Sequence, residues 1–259
     1  MSYLYVSDSA LQYAYPIQLV NDLWQDPEWV AEELLSGYRA VLSSMADGNS
    51  LFVSKKCCNG TSLGKNLTNN FLHIKNIPIH KLLGDCVFDC VIVSDQKQSM
   101  EPLFDLGPLG AENLNFSHGM FKLVLVDIMK FKGVILKDEP WKIRRVYLED
   151  SFRKINSPFV KLIESVSQYK RDFFNSLDED GSKGIVFKNI ESKYQEGLTR
   201  NFLEARSNAR AGFKNVTLSK SFRFVPKALE SEAKSFDFDV YLALQALDRP
   251  ENIKKLLES

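Results

Sequence analysis

The chain has 259 residues, with 33 lysines and arginines against 33 aspartates and glutamates, so its formal charge at pH 7 is zero. This balance argues against a polybasic protein that coats nucleic acid or a membrane surface, and a hydrophobic fraction of 44% argues against a mainly disordered chain. The longest apolar runs are far shorter than the roughly 20 residues of a membrane span, and the first thirty residues lack the basic start of a signal peptide. We therefore predict a soluble cytoplasmic protein that makes no membrane contact.

The first half of the chain has the residue alternation of β-strands. Gly37 separates two of the candidate segments, and Asp47-Gly48 is a dipeptide typical of hairpin turns. Strands are predicted at residues 29–33, 39–42, 50–53, 86–93 and 122–127.

A long helix is predicted over residues 140–154. Pro140 suits the first turn of a helix, where a missing backbone N–H costs nothing. The apolar residues spaced for a buried face are Ile143, Val146, Tyr147 and Phe152.

The elements that follow give the fold class. A second helix is predicted over residues 159–174 after Pro158, and a short apolar strand over residues 184–188 follows the acidic loop 178–181. Because strands and helices are mixed without strict alternation, we predict an α+β fold of antiparallel sheets flanked by helices.

Four cysteines and three histidines are the candidate metal ligands. Cys57 and Cys58 are adjacent, while Cys86 and Cys90 are separated by three residues within a predicted strand. Neither pair has the C-x-x-C spacing of a zinc site, and neither spacing indicates a disulfide. We therefore predict free thiols in a reducing compartment and no metal site.

The zero net charge hides a segregation along the chain. Residues 1–50 carry seven acids and one base, whereas residues 130–227 carry 21 bases and 12 acids. A basic surplus of this kind is typical of a surface that faces phosphates, and it is equally compatible with a solvated face of helices and loops.

Five segments match a set of motifs in order. The first is Asp26-Pro-Glu-Trp-Val-Ala-Glu-Glu-Leu-Leu-Ser-Gly-Tyr-Arg39, which is similar to a strand followed by the loop E-x-K-x-D-G-x-R. The others are residues 54–61 with Asn59-Gly60, residues 88–93, Val126-Asp127 with the following segment 140–149, and residues 181–188. Together, over roughly residues 14–225, they resemble the adenylation domain of ATP-dependent DNA ligases. The resemblance implies the ligase-type nucleotidyltransferase fold.

The departures from this family fall on residues that carry its chemistry. The resemblance implies a lysine that holds AMP as a phosphoramidate, but Leu34 stands at that position, and leucine has no lone pair. The family's aspartate two residues later, its two glutamates, and its adenine-stacking aromatic residue are also replaced, and its phosphate-binding K-x-K pair aligns with residues 213–215. The predicted degenerate ligase pocket consists of Leu34, Ser36, Arg39, Val91, Val126, Lys183 and Lys188.

These departures predict a chain that is not an enzyme and that has no catalytic residue, cofactor or bound metal. Lys55 or Lys56 is the alternative nucleophile, but the register with Asn59-Gly60 fails. The positions that keep the family's residue types are Arg39, Asp89, Asp127, Gly184 and Lys188. Maintenance of the fold explains these five, and retained nucleotide binding is the alternative.

The surface predicted to bind DNA is basic and lies late in the chain. Its residues are Arg200, Arg206, Arg210, Lys214, Lys220 and Arg223. The resemblance implies that this region faces duplex DNA, with contacts mainly to phosphates. Residues 1–227 are predicted to form the ligase-like domain, and residues 228–259 a short extension that is too small for a complete OB-fold domain.

Three hypotheses for function follow. The first is a catalytically inactive ligase-like protein that binds duplex or nicked DNA without sealing it. The second is an interaction module that uses the ligase fold to bind a protein partner. The third is an active nucleotidyltransferase with a lysine at a non-standard position.

Overall fold

A computed structural model describes residues 12–16, 21–53, 65–96, 99–177 and 184–206. The strands of these ranges are, in chain order, β1 (Gln12–Pro16), β2 (Trp29–Glu33), β3 (Tyr38–Met45), β4 (Gly48–Val53), β5 (Lys65–Asn66), β6 (Cys86–Val93), β7 (Lys122–Phe131), β8 (Val134–Ile135), β9 (Val160–Leu162), β10 (Ser165–Val166), β11 (Gly184–Asn189) and β12 (Gly197–Arg206). The α-helices are α1 (Leu72–Lys75), α2 (Ile79–Leu83), α3 (Pro108–Ser117), α4 (Trp141–Ile155) and α5 (Lys170–Ser176). Short 3₁₀ helices span Asn21–Trp24, Thr68–Asn70 and Glu101–Phe104.

The strands form two sheets. The five-stranded sheet has the order β1-β12-β11-β2-β10, in which only the β1–β12 pair is parallel. The seven-stranded sheet has the order β5-β4-β3-β6-β7-β8, and β9 joins it by pairing in parallel with β7. The predicted α+β fold with antiparallel sheets flanked by helices is confirmed.

The hairpin between β3 and β4 forms where the sequence predicts it. Met45 pairs with Gly48 across the turn, and Gly48 has φ +120°, a conformation that L side chains rarely adopt. The predicted strands at residues 29–33 and 86–93 coincide with β2 and β6.

The larger hydrophobic core lies on one face of the seven-stranded sheet. It is closed by buried residues of the helices, including Ile74 of α1, Leu83 of α2, Ala111 of α3 and Leu148 of α4. A second core lies on the five-stranded sheet, where the Trp24 ring is 5.6 Å from Phe174 of α5 and 5.2 Å from Phe187 of β11, measured between ring centroids. Aromatic pairs at such distances add to the stabilisation from buried area.

The helix predicted over residues 159–174 is wrong. The segment contains β9, β10 and, from Lys170, the short helix α5. Val160 pairs with Leu123 of β7, and Ser165 pairs with Glu32 of β2. Backbone hydrogen bonds to strands distant in sequence override the local helical spacing.

The helix predicted over residues 140–154 forms as α4, but of the four residues predicted for its buried face only Phe152 packs against the core. Its buried residues are Trp141, Arg144, Leu148, Ser151 and Ile155, while Ile143, Val146 and Tyr147 are exposed. Helix α4 is rotated about its axis so that Arg144 faces the interior, where it forms an ion pair with Asp127 of β7. Periodicity of apolar residues cannot reveal such a partner.

The two cysteines that the structure describes, Cys86 and Cys90, are buried free thiols. Burial raises the pKa of both thiols above their usual range. Cys57 and Cys58 lie outside the described residues, as do the acidic loop 178–181 and the predicted extension 228–259.

Candidate functional site

The predicted pocket lies where the loop between β2 and β3 meets β11 and β6. The Leu34 backbone N–H donates a hydrogen bond to the Gly184 carbonyl over 3.0 Å, and the Leu34 side chain packs on Gly184 so closely that a Cβ at position 184 would lie 2.6 Å from Leu34 Cδ2. A Cβ at Gly37 would lie 2.3 Å from the Ile92 carbonyl oxygen. Glycine is therefore required at position 37, where the obstacle is backbone, whereas a methyl group at position 184 would require the Leu34 side chain to move.

An apolar cluster forms beside this loop. Val91 and Val124 lie directly opposite each other on β6 and β7, and Val126 and Ile163 complete the buried cluster. Leu35 packs against it from the loop. The structure thus brings together two of the residues named from the sequence, Val91 and Val126, and adds Leu35.

Three other residues of the predicted pocket lie outside this apolar cluster. Ser36 is exposed, and Leu34 is half-buried on the side of the five-stranded sheet. Lys183 lies outside the described residues.

Arg39 and Asp89 form a two-bonded ion pair between β3 and β6. The Nε and Nη2 atoms of Arg39 donate to the two carboxylate oxygens of Asp89, and the Tyr194 hydroxyl donates to Asp89 Oδ2 over 2.9 Å. Asp89 is fully buried. Its charge is therefore satisfied by protein groups, and such pairs fix geometry strongly.

Asp127, which pairs with Asp89 across β6 and β7, is held in the same way. Arg144 donates from Nε to Oδ1 over 2.9 Å and from Nη2 to Oδ2 over 2.8 Å, and its Nη1 donates to the carbonyls of Glu139 and Ser192. The Arg144 guanidinium lies 5.6 Å from the centroid of the Tyr194 ring. The two networks therefore meet at Tyr194, a residue that the sequence analysis did not single out.

Lys188 forms a buried ion pair with Glu32, another residue that the sequence analysis left without a role. Lys188 Nζ lies 2.6 Å from Glu32 Oε2 and 3.3 Å from the Val126 carbonyl oxygen, and 4.8 Å from the centroid of the Phe202 ring. Burial raises the pKa of Glu32, an effect that the charge of Lys188 opposes. Arg145 adds a second cation, with Nη1 3.8 Å from Glu32 Oε1.

A second buried carboxylate lies in the same row. Glu32 and Glu204 each lie opposite Val186, one on β2 and the other on β12, so all three occupy one face of the sheet. Glu204 is buried as well. The segment 213–215, which was aligned with the family's K-x-K pair, lies outside the described residues. Residues two apart on a strand share a face, so the spacing of Glu204 from the apolar Phe202 was the signal in the sequence for this buried carboxylate.

The predicted DNA-binding residues are only partly described. Arg200 is exposed on β12, and Arg206 pairs in register with Gly184 of β11. Arg210, Lys214, Lys220 and Arg223 lie outside the described residues.

Several basic side chains of the described region are neutralised locally. Lys137 pairs with Glu196 and Lys142 with Glu191, each over 2.5 Å, and Lys193 pairs with Asp138 over 3.5 Å. At these three positions the basic residues therefore add no unpaired positive charge to the surface.

Within the described ranges, no group of three or more histidine, cysteine, aspartate or glutamate side chains is placed to hold a metal ion. No helix in the described part of the chain is long and apolar enough to span a membrane.

The fold and motif order correspond to a known enzyme family. Residues 12–203 match the model of the ATP-dependent DNA ligase domain. Because this match covers well over half of the chain, the chain belongs to the ATP-dependent DNA ligase domain family. No curated protein matches the chain.

Solved ligase structures resemble the fold at low sequence identity. The ligase domain of Mycobacterium tuberculosis LigD aligns with a TM-score of 0.57 and 15% identity over 76% of this chain and 60% of that one. Mycobacterial DNA ligase D complexed with ATP and MES gives a TM-score of 0.56 and 15% identity over 75% and 59%. A Lig E DNA ligase gives 0.50 and 14% over 76% and 68%. The chain thus spans about 60% of the length of the two ligase D structures.

The prediction that the chain is not an enzyme is wrong. The family to which residues 12–203 belong consists of ATP-dependent DNA ligases, which are enzymes, and the structural neighbours are ligase domains. The replacement of individual residues in the motifs does not show that the chain is inactive.

Proposed function

We propose that this DNA-ligase-like nucleotidyltransferase domain binds duplex or nicked DNA through phosphate contacts made by the basic segment 206–227, which begins at the last residue of β12. Family membership supports a DNA substrate, because ligase domains act on DNA ends. The observation that carries the proposal is the charge of this segment. Between Glu204 and Glu230 the sequence contains six bases and no acid, namely Arg206, Arg210, Lys214, Lys220, Arg223 and Lys227. A run of cations without opposing charges is the usual footprint of backbone recognition.

The experiment is a comparison of DNA affinity between the wild-type chain and a triple charge reversal. Arg206→Glu, Arg210→Glu and Lys214→Glu together are expected to weaken binding to a fluorescent nicked duplex by more than tenfold at low salt, since each cation contributes a phosphate contact. The matched control reverses three cations that are already paired with carboxylates, Lys137, Lys142 and Lys193. Equal affinity of the triple variant and the wild type would refute the proposal.

We further propose that the cleft around Leu34 does not hold a magnesium nucleotide in the family's pose. Three observations support this. Leu34 packs on Gly184, Val91 and Val126 are enclosed in an apolar cluster, and the acids Asp89 and Asp127 are bound by arginines. In the part of the cleft that the structure describes, the apolar lining and the arginine-bound carboxylates make a poor environment for phosphates and Mg²⁺.

A second candidate function is nucleotidyl transfer through a lysine other than residue 34, and family membership favours it. Lys188 is a buried amine in the described cleft, with Nζ 3.3 Å from the Val126 carbonyl oxygen. The test is intact mass after incubation with ATP and Mg²⁺, followed by peptide mapping. An adduct of one nucleoside monophosphate that maps to a lysine and is lost in Lys188→Arg would support this candidate. An unmodified wild-type mass would remove it.

The variant Leu34→Lys distinguishes a cleft that holds ATP in the family's pose from a cleft that does not. If the remaining pocket can hold ATP, this variant gains an adduct at residue 34. If the cleft has the altered form proposed above, Leu34→Lys stays unmodified.

The proposed location is the cytoplasm, supported by the free thiols of Cys86 and Cys90. Cell fractionation with an epitope-tagged chain tests this.

A further inference from the structure

Three polar side chains converge where β2 and β10 meet helix α4. Glu32 and Ser165 lie directly opposite each other on β2 and β10, so their side chains share one face of the five-stranded sheet. Arg145 of α4 reaches the same place, because its Nη2 donates to the Ile163 carbonyl over 2.9 Å and its Nη1 lies 3.8 Å from Glu32 Oε1. We call Glu32 Oε1, Arg145 Nη1 and Ser165 Oγ the three-atom site.

The atoms of the three-atom site are buried and lack hydrogen bonds. Among the residues that the structure describes, none of the three has a hydrogen-bond partner. The Glu32 side chain is only 1% exposed. Buried polar atoms in folded proteins nearly always have a hydrogen-bond partner, because water no longer supplies one. Three such atoms at one place therefore indicate a site for a polar group of a ligand.

The hydrogen-bonding capacity of the three-atom site matches a hydroxyl group. Glu32 Oε1 accepts, Arg145 Nη1 donates, and the Ser165 hydroxyl is able to donate. A ligand hydroxyl has one hydrogen to donate to Glu32 and two lone pairs that accept from Arg145 and Ser165. Two atoms that are 3.8 Å apart also allow one oxygen to lie about 2.8 Å from both.

The charges around the three-atom site are already balanced. Lys188 Nζ lies 2.6 Å from Glu32 Oε2, and Arg145 Nε donates to Glu149 Oε1 over 2.7 Å. A phosphate or an ammonium group at this place would bring a buried charge without a counterion, which is unfavourable. The balance therefore selects a neutral ligand.

The surroundings combine an edge of the sheet with apolar side chains. β10 is the last strand in the order of the five-stranded sheet, and Ser165 on it is half-buried. Ile163, whose carbonyl Arg145 binds, belongs to the apolar cluster with Val126. A few convergent polar atoms beside apolar side chains are typical of sites for small ligands.

We propose that the three-atom site binds a sugar hydroxyl of a neutral ligand, either a free sugar or a nucleoside without phosphates. Glu32 accepts the hydrogen bond of this hydroxyl, and Arg145 and Ser165 donate to its oxygen. The inference does not rest on DNA binding by the segment 206–227. It agrees with the proposed form of the cleft, because neither ligand brings phosphates or Mg²⁺.

The test is a ligand-observed NMR titration of the 259-residue chain with adenosine, ribose and 9-methyladenine. Adenosine is the nucleoside probe because residues 12–203 match an ATP-dependent family. If the ligand is a nucleoside, adenosine is expected to bind at least about tenfold more tightly than 9-methyladenine, since a site built for a hydroxyl rejects a ligand that lacks it. If the ligand is a free sugar, ribose binds and adenosine does not exceed it.

The variant Ser165→Ala removes one donor and leaves both ion pairs in place. It is expected to weaken binding of adenosine or ribose, whichever the wild type binds, by about threefold to tenfold. The matched control is Ser167→Ala, because Ser167 is exposed and lies outside β10. The control is expected to bind like the wild type, and thermal denaturation checks that both variants are folded.

Three results would overturn the proposal. The first is a wild type that binds neither adenosine nor ribose. The second is adenosine that binds no more tightly than 9-methyladenine while ribose does not bind. The third is a Ser165→Ala variant with the affinity of the wild type.

Discussion

Lys188 of β11 and Glu32 of β2 form an ion pair that solvent hardly reaches, with Nζ 2.6 Å from Oε2 and side-chain exposures of 2% and 1%. A buried ion pair stabilises little compared with apolar residues of equal volume, but the loss of one partner leaves an uncompensated buried charge. The pair joins strands β2 and β11 of the cleft. Replacing both Glu32 and Lys188 by apolar residues should therefore destabilise the protein less than replacing only one of them.

We expect Lys188→Met to lower the free energy of unfolding by about 3–5 kcal/mol, since Glu32 then loses its nearest cation. The double variant Glu32→Leu with Lys188→Met is expected to be more stable than Lys188→Met alone. Urea denaturation monitored by tryptophan fluorescence measures both. The control is Glu191→Gln, which breaks a half-exposed pair with Lys142 and is expected to cost no more than about 1 kcal/mol. A double variant as unstable as the sum of the single variants would contradict the prediction.

The two close-packed glycines of the cleft differ in what a methyl group would meet. At Gly37 the obstacle is the Ile92 carbonyl oxygen at 2.3 Å, which belongs to β6, whereas at Gly184 the nearest obstacle is the end of the Leu34 side chain at 2.6 Å. Overpacking of this kind costs about 1–3 kcal/mol where side chains can adjust. We expect Gly37→Ala to destabilise the protein more than Gly184→Ala.

The pair Gly184→Ala and Leu34→Ala supplies the control. Shortening Leu34 leaves only its Cβ, 2.9 Å from the added methyl group, so part of the loss in thermal midpoint should be recovered relative to the sum of the single variants. Strict additivity of the two substitutions would show that Leu34 does not pack on Gly184.

The stability of the domain is expected to decrease in mild acid because of His73. Burial lowers the pKa of His73, and the Phe121 carbonyl oxygen 2.8 Å from Nε2 only partly opposes this effect. The unfolded chain therefore binds a proton near pH 6.5, its ordinary pKa, while the folded protein stays neutral to lower pH. The stabilisation linked to neutral, buried His73 is present above about pH 6.5 and is lost as the pH falls towards the pKa of His73 in the folded protein.

The measurement is the urea midpoint of the wild type and of His73→Gln at pH 7.5, 6.5 and 5.5, which bracket the unfolded pKa of about 6.5. The wild type should lose more stability on acidification than the variant. Parallel curves for the two proteins would exclude His73 as the cause.

The sequence predicted more of the architecture than of the contacts. Strands β2 and β6, the hairpin between β3 and β4, and helix α4 each have a local signal, namely the residue pattern of the two strands, the Asp47-Gly48 turn and Pro140. The pairing of β9 with β7 depends on a strand distant in sequence, so the local helical pattern after Pro158 was misleading.

The cleft could be located from the motifs, but its chemistry could not be fully predicted. Glu32 and Lys188 meet only when β2 and β11 pair, and Arg144 turns α4 only because Asp127 is present on β7. No spacing in the sequence reports such partners. The inference of an inert protein failed because it was drawn from single positions, whereas the match over residues 12–203 reports the family.

The most direct test of DNA binding by this domain is the dependence of its affinity for a nicked duplex on salt concentration. A plot of log K against log salt should fall with a slope of roughly −0.9 for each phosphate contact, and the triple reversal of Arg206, Arg210 and Lys214 should reduce the steepness by about two to three. Affinity that does not change with salt, or a triple variant with the wild-type slope, would contradict the account.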